Sequence, residues 1–131
     1  MTKKSYYELE AGYEFPPASY ELERSMVSAY LQAVEETSPR YQDTGLVPPT
    51  AVAAYALTAL SQGLAMPPGA IHVSQELEFL ELVRAGDTIT CQAKVSRKQE
   101  RGKMHIFTID LNVLNQSGKT VLTGKTSFIL S

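Results

Sequence analysis

Few side chains in this sequence can exchange a proton near neutral pH. The chain has two histidines, His72 and His105, and a single cysteine, Cys91. An imidazole titrates near neutrality, so His72 is a candidate general acid or base, with hydrogen bonding to a carbonyl or chain end as the structural alternative. His105 lies inside an apolar row and is interpreted as structural. Neither histidine has a cysteine or second histidine at ligand spacing, so we expect no metal site.

Positive charge is concentrated around one predicted hairpin, at Lys94, Arg97, Lys98, Arg101 and Lys103. Lysine and arginine bind phosphate groups, so Lys94, Arg97 and Lys98 are candidates for an anion site. A solvated hairpin tip diluted by Glu100 is the alternative interpretation. Cys91 has no basic cluster close to it in the strand pattern, and packing is the expected role for it.

Composition limits the class of protein. A chain of 131 residues is expected to form one domain over residues 1–131. Lys and Arg number 12 against 14 Asp and Glu, which argues against nucleic-acid binding. One cysteine allows no internal disulfide, and the first residues lack the apolar core of a secretion signal, so a cytoplasmic protein is expected.

A stretch without Asp, Glu, Lys or Arg runs from Thr44 to Gln75. Within it, residues 50–63 predict a helix that is apolar nearly all round and therefore surrounded by protein. The helix is too short to cross a membrane. Thr50 stands at its start, as an expected N-cap, and Tyr55 lies inside it, where its hydroxyl needs a partner.

The other elements follow from their periodicities. Residues 18–24 predict a strand, and Ser25 is expected to cap a helix that ends near residues 37–39. After Gly69 the period becomes two, with Ile71, Val73, Leu77 and Phe79 expected on the inner face and His72 on the polar face. Further strands at 89–95, 105–113 and 121–130 complete an antiparallel meander. The sequence predicts an α+β hot-dog domain, a five-stranded antiparallel sheet wrapped around one buried helix.

Three stretches carry a resemblance to a known family: SPRYQDTGLVPPT, PPGAIHVSQELEFLELVRAGDTI and NQSGKTVLTGKTSF. In this order they resemble the MaoC-like hot-dog hydratases and dehydratases, closest to the branch of the fungal and mycobacterial fatty-acid dehydratases. The resemblance spans residues 12–130. It implies hydration of an enoyl thioester or dehydration of an (R)-3-hydroxyacyl thioester, without a cofactor. Coenzyme A or an acyl carrier would hold the acyl group, and the basic hairpin would meet its phosphates or acidic surface.

Active members resemble one another in a motif whose Asp and His activate water. With Pro39 as anchor, the Asp position is Glu36, the His position is Tyr41 and the trailing Asp is Asp43. A tyrosine, with a pKa of about 10, is a poor substitute for imidazole. Glu36 keeps the carboxylate but adds a methylene, a displacement of about 1 Å that can cost on the order of a hundredfold in rate.

The resemblance also implies where a substrate would bind. Backbone N–H groups at the start of the buried helix, from Val47 to Ala51, would polarise the thioester carbonyl. Asp43, Val47, Thr50, Ala51 and Tyr55 are the candidate substrate contacts. The sequence therefore predicts a substrate-shaping subunit whose partner hot-dog chain supplies Asp and His. A self-sufficient enzyme using Glu36 or His72, and a non-enzymatic acyl binder, remain alternatives. Since strand 71–79 would otherwise leave an open edge, a homo- or heterodimer is expected.

Overall fold

The computed structural model of the protein describes residues 3–41 and 44–130. The strands are β1 (Lys4–Ser5), β2 (Ala18–Glu21), β3 (Leu64–Ala65), β4 (Ile71–Phe79), β5 (Thr88–Arg101), β6 (Met104–Leu114) and β7 (Thr120–Leu130). The helices are α1 (Arg24–Ala33) and α2 (Pro49–Gly63), and a 3₁₀ turn spans Tyr6–Glu8. The predicted elements are all present, although several of their ends differ.

The main sheet has five antiparallel strands in the order β2-β5-β6-β7-β4. Its inner face carries apolar side chains with almost no exposure, including Val95, Ile109 and Leu122. The helix α2 packs against β5 and β6 in the middle of the order. Since alternate residues of a strand point to opposite faces, one face meets the helix and the other is polar. The predicted hot-dog architecture is confirmed. The predicted meander is wrong for β4, which pairs with β7 and not with the next strand, β5, because residues 80–87 lead to the opposite side of the sheet.

The central helix is less enclosed than its composition suggested. Its buried face consists of Ala51, Val52, Ala53, Ala56 and Leu60. These small side chains let the sheet approach the helix backbone closely. A stripe of small polar residues and alanine, including Thr50, Ala54 and Thr58, is exposed along the helix. The expectation of a helix surrounded by its own chain is therefore wrong for this stripe, because the sheet covers only one side.

The amino-terminal segment closes one edge of β5. The Gly12 and Phe15 amides donate to the Val95 and Ala93 carbonyls at 2.7 and 2.9 Å, and β2 continues along the same edge. Before this segment, the Lys98 ammonium donates to the carbonyls of Tyr6 (3.2 Å) and Leu9 (2.8 Å). Within the described residues, β2 and β4 are the two edge strands of this sheet, and β4, with nine residues against four, has the longer unpaired edge.

A β-bulge in β4 changes the faces that its residues occupy. His72 pairs with Phe128 and Ser74 pairs with Ser127, so Val73 is the extra residue. His72 consequently shares the inner face with Gln75, Leu77 and Phe79. The expectation that His72 lies on the polar face and Val73 in the inner row is wrong, because simple alternation does not allow for the extra residue.

The start of α1 also differs from the prediction. Its N-cap is Glu23, without a side-chain capping bond, and Ser25 lies inside the first turn. Val34 follows the last helical residue, Ala33, and is exposed. The strand before it is correspondingly shorter than predicted and ends at Glu21.

Candidate active site

The loop between α1 and α2 holds Glu36 and Tyr41, two of the predicted catalytic positions. Helix α1 ends because Glu35 has a left-handed backbone conformation, with φ of 56°, and the Glu36 amide then donates to the Leu31 carbonyl at 2.9 Å. The Glu36 carboxylate accepts the Ser38 amide at 2.8 Å, and the Tyr41 amide donates to the Ser38 carbonyl at 3.1 Å. Glu36 thus braces the turn through its own carboxylate. Asp43 lies outside the described residues.

The amino end of α2 offers fewer free backbone donors than an ordinary helix. Pro48 is the N-cap and Pro49 opens the first turn, and neither has an N–H group. The Val47 amide donates to the Val83 carbonyl at 2.8 Å, and the Ala51 amide donates to the Pro48 carbonyl at 2.9 Å. Of the N–H groups of Val47, Thr50 and Ala51, only that of Thr50 has no hydrogen-bond acceptor among the described residues. The Thr50 N–H is therefore the remaining backbone candidate for binding a substrate oxygen.

The Thr50 side chain strengthens this assignment. It does not cap the helix as expected, because Pro48 occupies the N-cap position. Its Oγ1 lies instead 2.8 Å from the Tyr30 hydroxyl of α1. If Tyr30 donates this bond, the Thr50 proton remains available for an acceptor in front of the helix. Tyr30 is therefore a further candidate site residue, and its helical spacing does not distinguish it from a packing residue.

Tyr55 lies farther along α2 and faces β2. Its ring centroid is 5.0 Å from that of Tyr20, whose hydroxyl donates to Gln62 at 3.5 Å. Burial raises the pKa of Tyr55, and burial followed by Cys91 and Tyr55 raises the pKa of Tyr20. Both hydroxyls therefore stay protonated near neutral pH. Tyr55 lies about 7–8 Å from Thr50 along the helix axis.

His72 makes its contacts on the other half of the sheet. Its Nε2 lies 2.7 Å from Oγ1 of Thr126, a fully buried side chain, and its ring stacks on Phe128 at 4.9 Å. Neither contact involves the loop that holds Glu36. The structure thus does not join the two predicted acid–base candidates through a hydrogen bond in its described part. Thr126 gave no signal in the sequence, because a threonine is common in strands.

The three predicted phosphate contacts lie on different faces. Lys94 stands opposite Asp110 on the outer face, and Arg97 lies on that side as well, with its guanidinium on Gln99. Lys98 stands opposite the buried Phe107, and its ammonium lies 4.5 Å above the Tyr6 ring. Because Lys98 is committed to the amino-terminal segment, only Lys94 and Arg97 keep a free approach from solvent.

His105 and Cys91 occupy the positions expected of packing residues. The His105 ring meets the Tyr6 ring at 5.8 Å, and its Nδ1 lies 3.5 Å from Glu100. Cys91 is a buried free thiol. Within residues 3–41 and 44–130, no group of three His, Cys, Asp or Glu side chains is placed to hold a metal ion. None of the helices described is long and apolar enough to cross a membrane.

Cys91 should be unreactive in the folded protein. Burial raises the pKa of its thiol to about 11, so the thiolate is scarce near pH 8. We expect iodoacetamide to label Cys91 only after unfolding, as measured by mass spectrometry. The folded state holds this proton more tightly, so the thiol's contribution to stability is full below pH 9.0 and is lost as the pH rises through about 11. Equal labelling rates in folded and unfolded protein would contradict this expectation.

Two open clefts lie away from this site, on the outer face of the sheet. One, of about 520 Å³, is lined by residues of β4, β6 and β7, including Glu76, Asp110 and Lys125. The other, of about 330 Å³, lies between Glu14, Lys94 and Asp110. Neither includes Glu36 or Thr50.

One helix packed against a five-stranded antiparallel sheet is the architecture of a hot-dog domain, and the candidate site lies at the amino end of that helix. The family described as FAS1-like, dehydratase domain region matches residues 10–124, and the chain belongs to this family. The resemblance to MaoC-like dehydratases inferred from the three sequence stretches is thereby confirmed.

Individual relatives are distant. The UPF0336 protein of Streptomyces coelicolor is 25% identical over 135 residues, which cover 90% of this chain and 90% of that protein. The (R)-hydratase from A. caviae involved in PHA biosynthesis has a TM-score of 0.76 and 23% identity, covering 92% of this chain and 96% of that chain. The C-terminally truncated HadBC (3R-hydroxyacyl-ACP dehydratase) complex of Mycobacterium tuberculosis has a TM-score of 0.71 and 21% identity. The match covers 92% of this chain and 96% of that chain. At these identities the two structures establish the shared fold.

Proposed function

We propose that this chain is the substrate-shaping subunit of a two-chain enoyl-thioester hydratase, or (R)-3-hydroxyacyl-thioester dehydratase. In hydration, a base takes a proton from water, the hydroxyl adds to the β-carbon, and a proton is delivered to the α-carbon. Dehydration reverses these steps. The partner hot-dog chain supplies the Asp and His that move the protons. The acyl group arrives on coenzyme A or on an acyl carrier.

The observation that carries this proposal is that the loop at Glu36 and Tyr41 has a carboxylate held by a backbone amide and no histidine. The Glu36 carboxylate accepts the Ser38 amide and holds the loop, and the position corresponding to the catalytic histidine is Tyr41. Both histidines of the chain lie on strands, at positions 72 and 105. The loop therefore has no imidazole to exchange a proton with water near neutral pH.

The binding half of the site is better preserved. Negative charge develops on the thioester oxygen as the hydroxyl adds, and donors aimed at that oxygen lower the barrier. The Thr50 N–H and hydroxyl, with Tyr30 behind them, can provide this stabilisation at the positive end of α2. We assign to Thr50 the role of binding the thioester oxygen and to Tyr30 that of positioning Thr50.

The partner would dock along β4. This strand has an uncovered edge in the described chain, and Ile71, Val73 and Phe79 are exposed on it at 61%, 47% and 44%. Pairing of a second strand there would satisfy the backbone groups and cover these side chains. The similar fold of the HadBC (3R-hydroxyacyl-ACP dehydratase) complex supports assembly with a partner chain. Lys94 and Arg97 remain the proposed contacts for phosphates or an acidic carrier.

Reconstitution tests the proposal. Crotonyl-CoA hydration is followed by loss of the enoyl absorbance, first with the pure chain and then after addition of a hot-dog chain that carries the Asp and His pair. We expect background rates from the pure chain and turnover from the mixture. Ordinary turnover by the pure chain would refute the subunit proposal, and Glu36→Gln and His72→Ala would then identify the base. Tight acyl-CoA binding without turnover in either preparation would indicate an acyl-thioester binder instead.

A further inference from the structure

The uncovered edge strand β4 carries negative charge and no positive charge. Glu76 and Glu78 are exposed, and residues 71–79 contain no lysine or arginine. Their register against Lys125 and Thr123 of β7 places both carboxylates on the outer face of the sheet. They stand at the boundary where any added strand would lie.

Neither carboxylate is neutralised within the described chain. No Lys, Arg or His nitrogen of residues 3–41 and 44–130 forms an ion pair with Glu76 or Glu78. Lys125 stands opposite Glu76, but its ammonium lies 3.7 Å from Asp110 on the far side. The charges of β4 are therefore available to a partner strand.

A second copy of the same chain would meet these charges with like charges. The bulge restricts regular pairing to residues 74–79. Antiparallel pairing about a two-fold axis keeps outer-face residues opposite each other. Centred on this segment, it places Glu76 opposite either Glu76 or Glu78 of the other copy. Like charges directly opposite each other on paired strands are destabilising.

We propose that β4 selects an edge strand from a different chain, one that presents lysine or arginine at the outward positions facing Glu76 and Glu78. The exposed apolar residues of β4 contribute binding affinity, and the two carboxylates determine which partner is bound. This inference rests on the proposed function in one respect, since the selected chain would be the catalytic hot-dog subunit. Self-pairing of β4 can be measured without any enzymatic assay.

Sedimentation equilibrium measures the expected effect. The double variant E76Q/E78Q should self-associate about tenfold more tightly than the wild type at low salt, because it removes the facing like charges. Added salt should strengthen wild-type self-association and leave that of the double variant nearly unchanged. The matched control is E14Q, which removes one exposed carboxylate beside β5, opposite Lys94, and should behave as wild type.

A charge-swap mixture provides the second measurement. The variant E76K/E78K mixed with the wild type should form a mixed dimer more tightly than either protein self-associates. Equal self-association of wild type and E76Q/E78Q would overturn the proposal, as would a mixture with no preference for the mixed dimer. These results do not depend on hydration activity, so a failed activity assay and a failed charge test are distinguishable.

Discussion

Replacing Thr50 by valine is expected to lower kcat/KM of the reconstituted complex for crotonyl-CoA by on the order of a hundredfold, the usual cost of losing one oxyanion donor. Valine keeps the backbone N–H and the side-chain volume but removes the hydroxyl that lies 2.8 Å from Tyr30. Most of the loss should fall on kcat, because the bond strengthens as charge develops on the thioester oxygen. Steady-state kinetics with a saturating partner chain measure it.

The control for this variant is Thr58→Val, which changes an exposed threonine two turns farther along α2. We expect Thr58→Val to retain the wild-type kcat, and Thr50→Ser to recover most of the activity lost in the valine variant. Tyr30→Phe should lower kcat by a smaller factor, because the Thr50 hydroxyl remains but is no longer held. An unchanged kcat in Thr50→Val would remove Thr50 from the site.

Gly124→Ala is expected to lower the free energy of unfolding by about 2 kcal/mol, as overpacking of a close backbone contact commonly does. A Cβ at this position would lie 2.9 Å from the backbone oxygen of Glu76 and 3.0 Å from Leu77 Cδ2. The backbone of β4 would have to move away from β7 to admit the methyl group. The same change should weaken binding of the partner chain, since β4 is the proposed docking edge.

Gly63→Ala serves as the control for this effect. Its Cβ would meet only the Phe15 side chain, at 3.2 Å, and alanine is the better helix former. Urea denaturation should therefore show a change of less than about 1 kcal/mol for Gly63→Ala. Equal stability of Gly124→Ala and the wild type would show that β4 adjusts without cost.

The fold could be predicted because the hydrophobic periodicity is strong. The uncharged stretch gave the central helix to within a residue, and the switch to a period of two after Gly69 gave the strands β4 to β7. Short polar turns made β5, β6 and β7 antiparallel neighbours, as predicted. These features could be predicted because the spacing of apolar and polar residues along the chain shows which positions are buried. The predicted meander is wrong for β4, which pairs with β7 and not with β5, because the short segment between β4 and β5 leads to the opposite side of the sheet.

The face of His72 could not be predicted in the same way. The extra residue in β4 is Val73, which has the character of an ordinary inner-face residue. Only the pairing with β7 shows that alternation breaks there. One extra residue in a strand moves all the residues before it to the opposite face of the sheet. Because the extra residue was not predicted, His72 was assigned to the wrong face.

The described candidate residues lie on the elements predicted for them, but their local hydrogen bonds differ from the expectation. The loop position of Glu36 followed from the anchor at Pro39, yet its bond to the Ser38 amide depends on the left-handed Glu35 that ends α1. Two consecutive prolines predicted the start of α2. Because Pro48 occupies the N-cap position and neither proline has an N–H group, Thr50 is a candidate hydrogen-bond donor and not the cap. Such choices arise from competition among neighbouring groups, which spacing alone does not resolve.

The most direct test of the central claim is the kcat of the reconstituted complex carrying Glu36→Gln in this chain. If the catalytic pair belongs to the partner, glutamine still accepts the Ser38 amide, and kcat should remain within about twofold of wild type, since no proton-transfer group is lost. Replacing the Asp or His of the partner should instead abolish turnover. A loss of a hundredfold or more on Glu36→Gln, with the fold unchanged by circular dichroism, would contradict the account and make Glu36 the base.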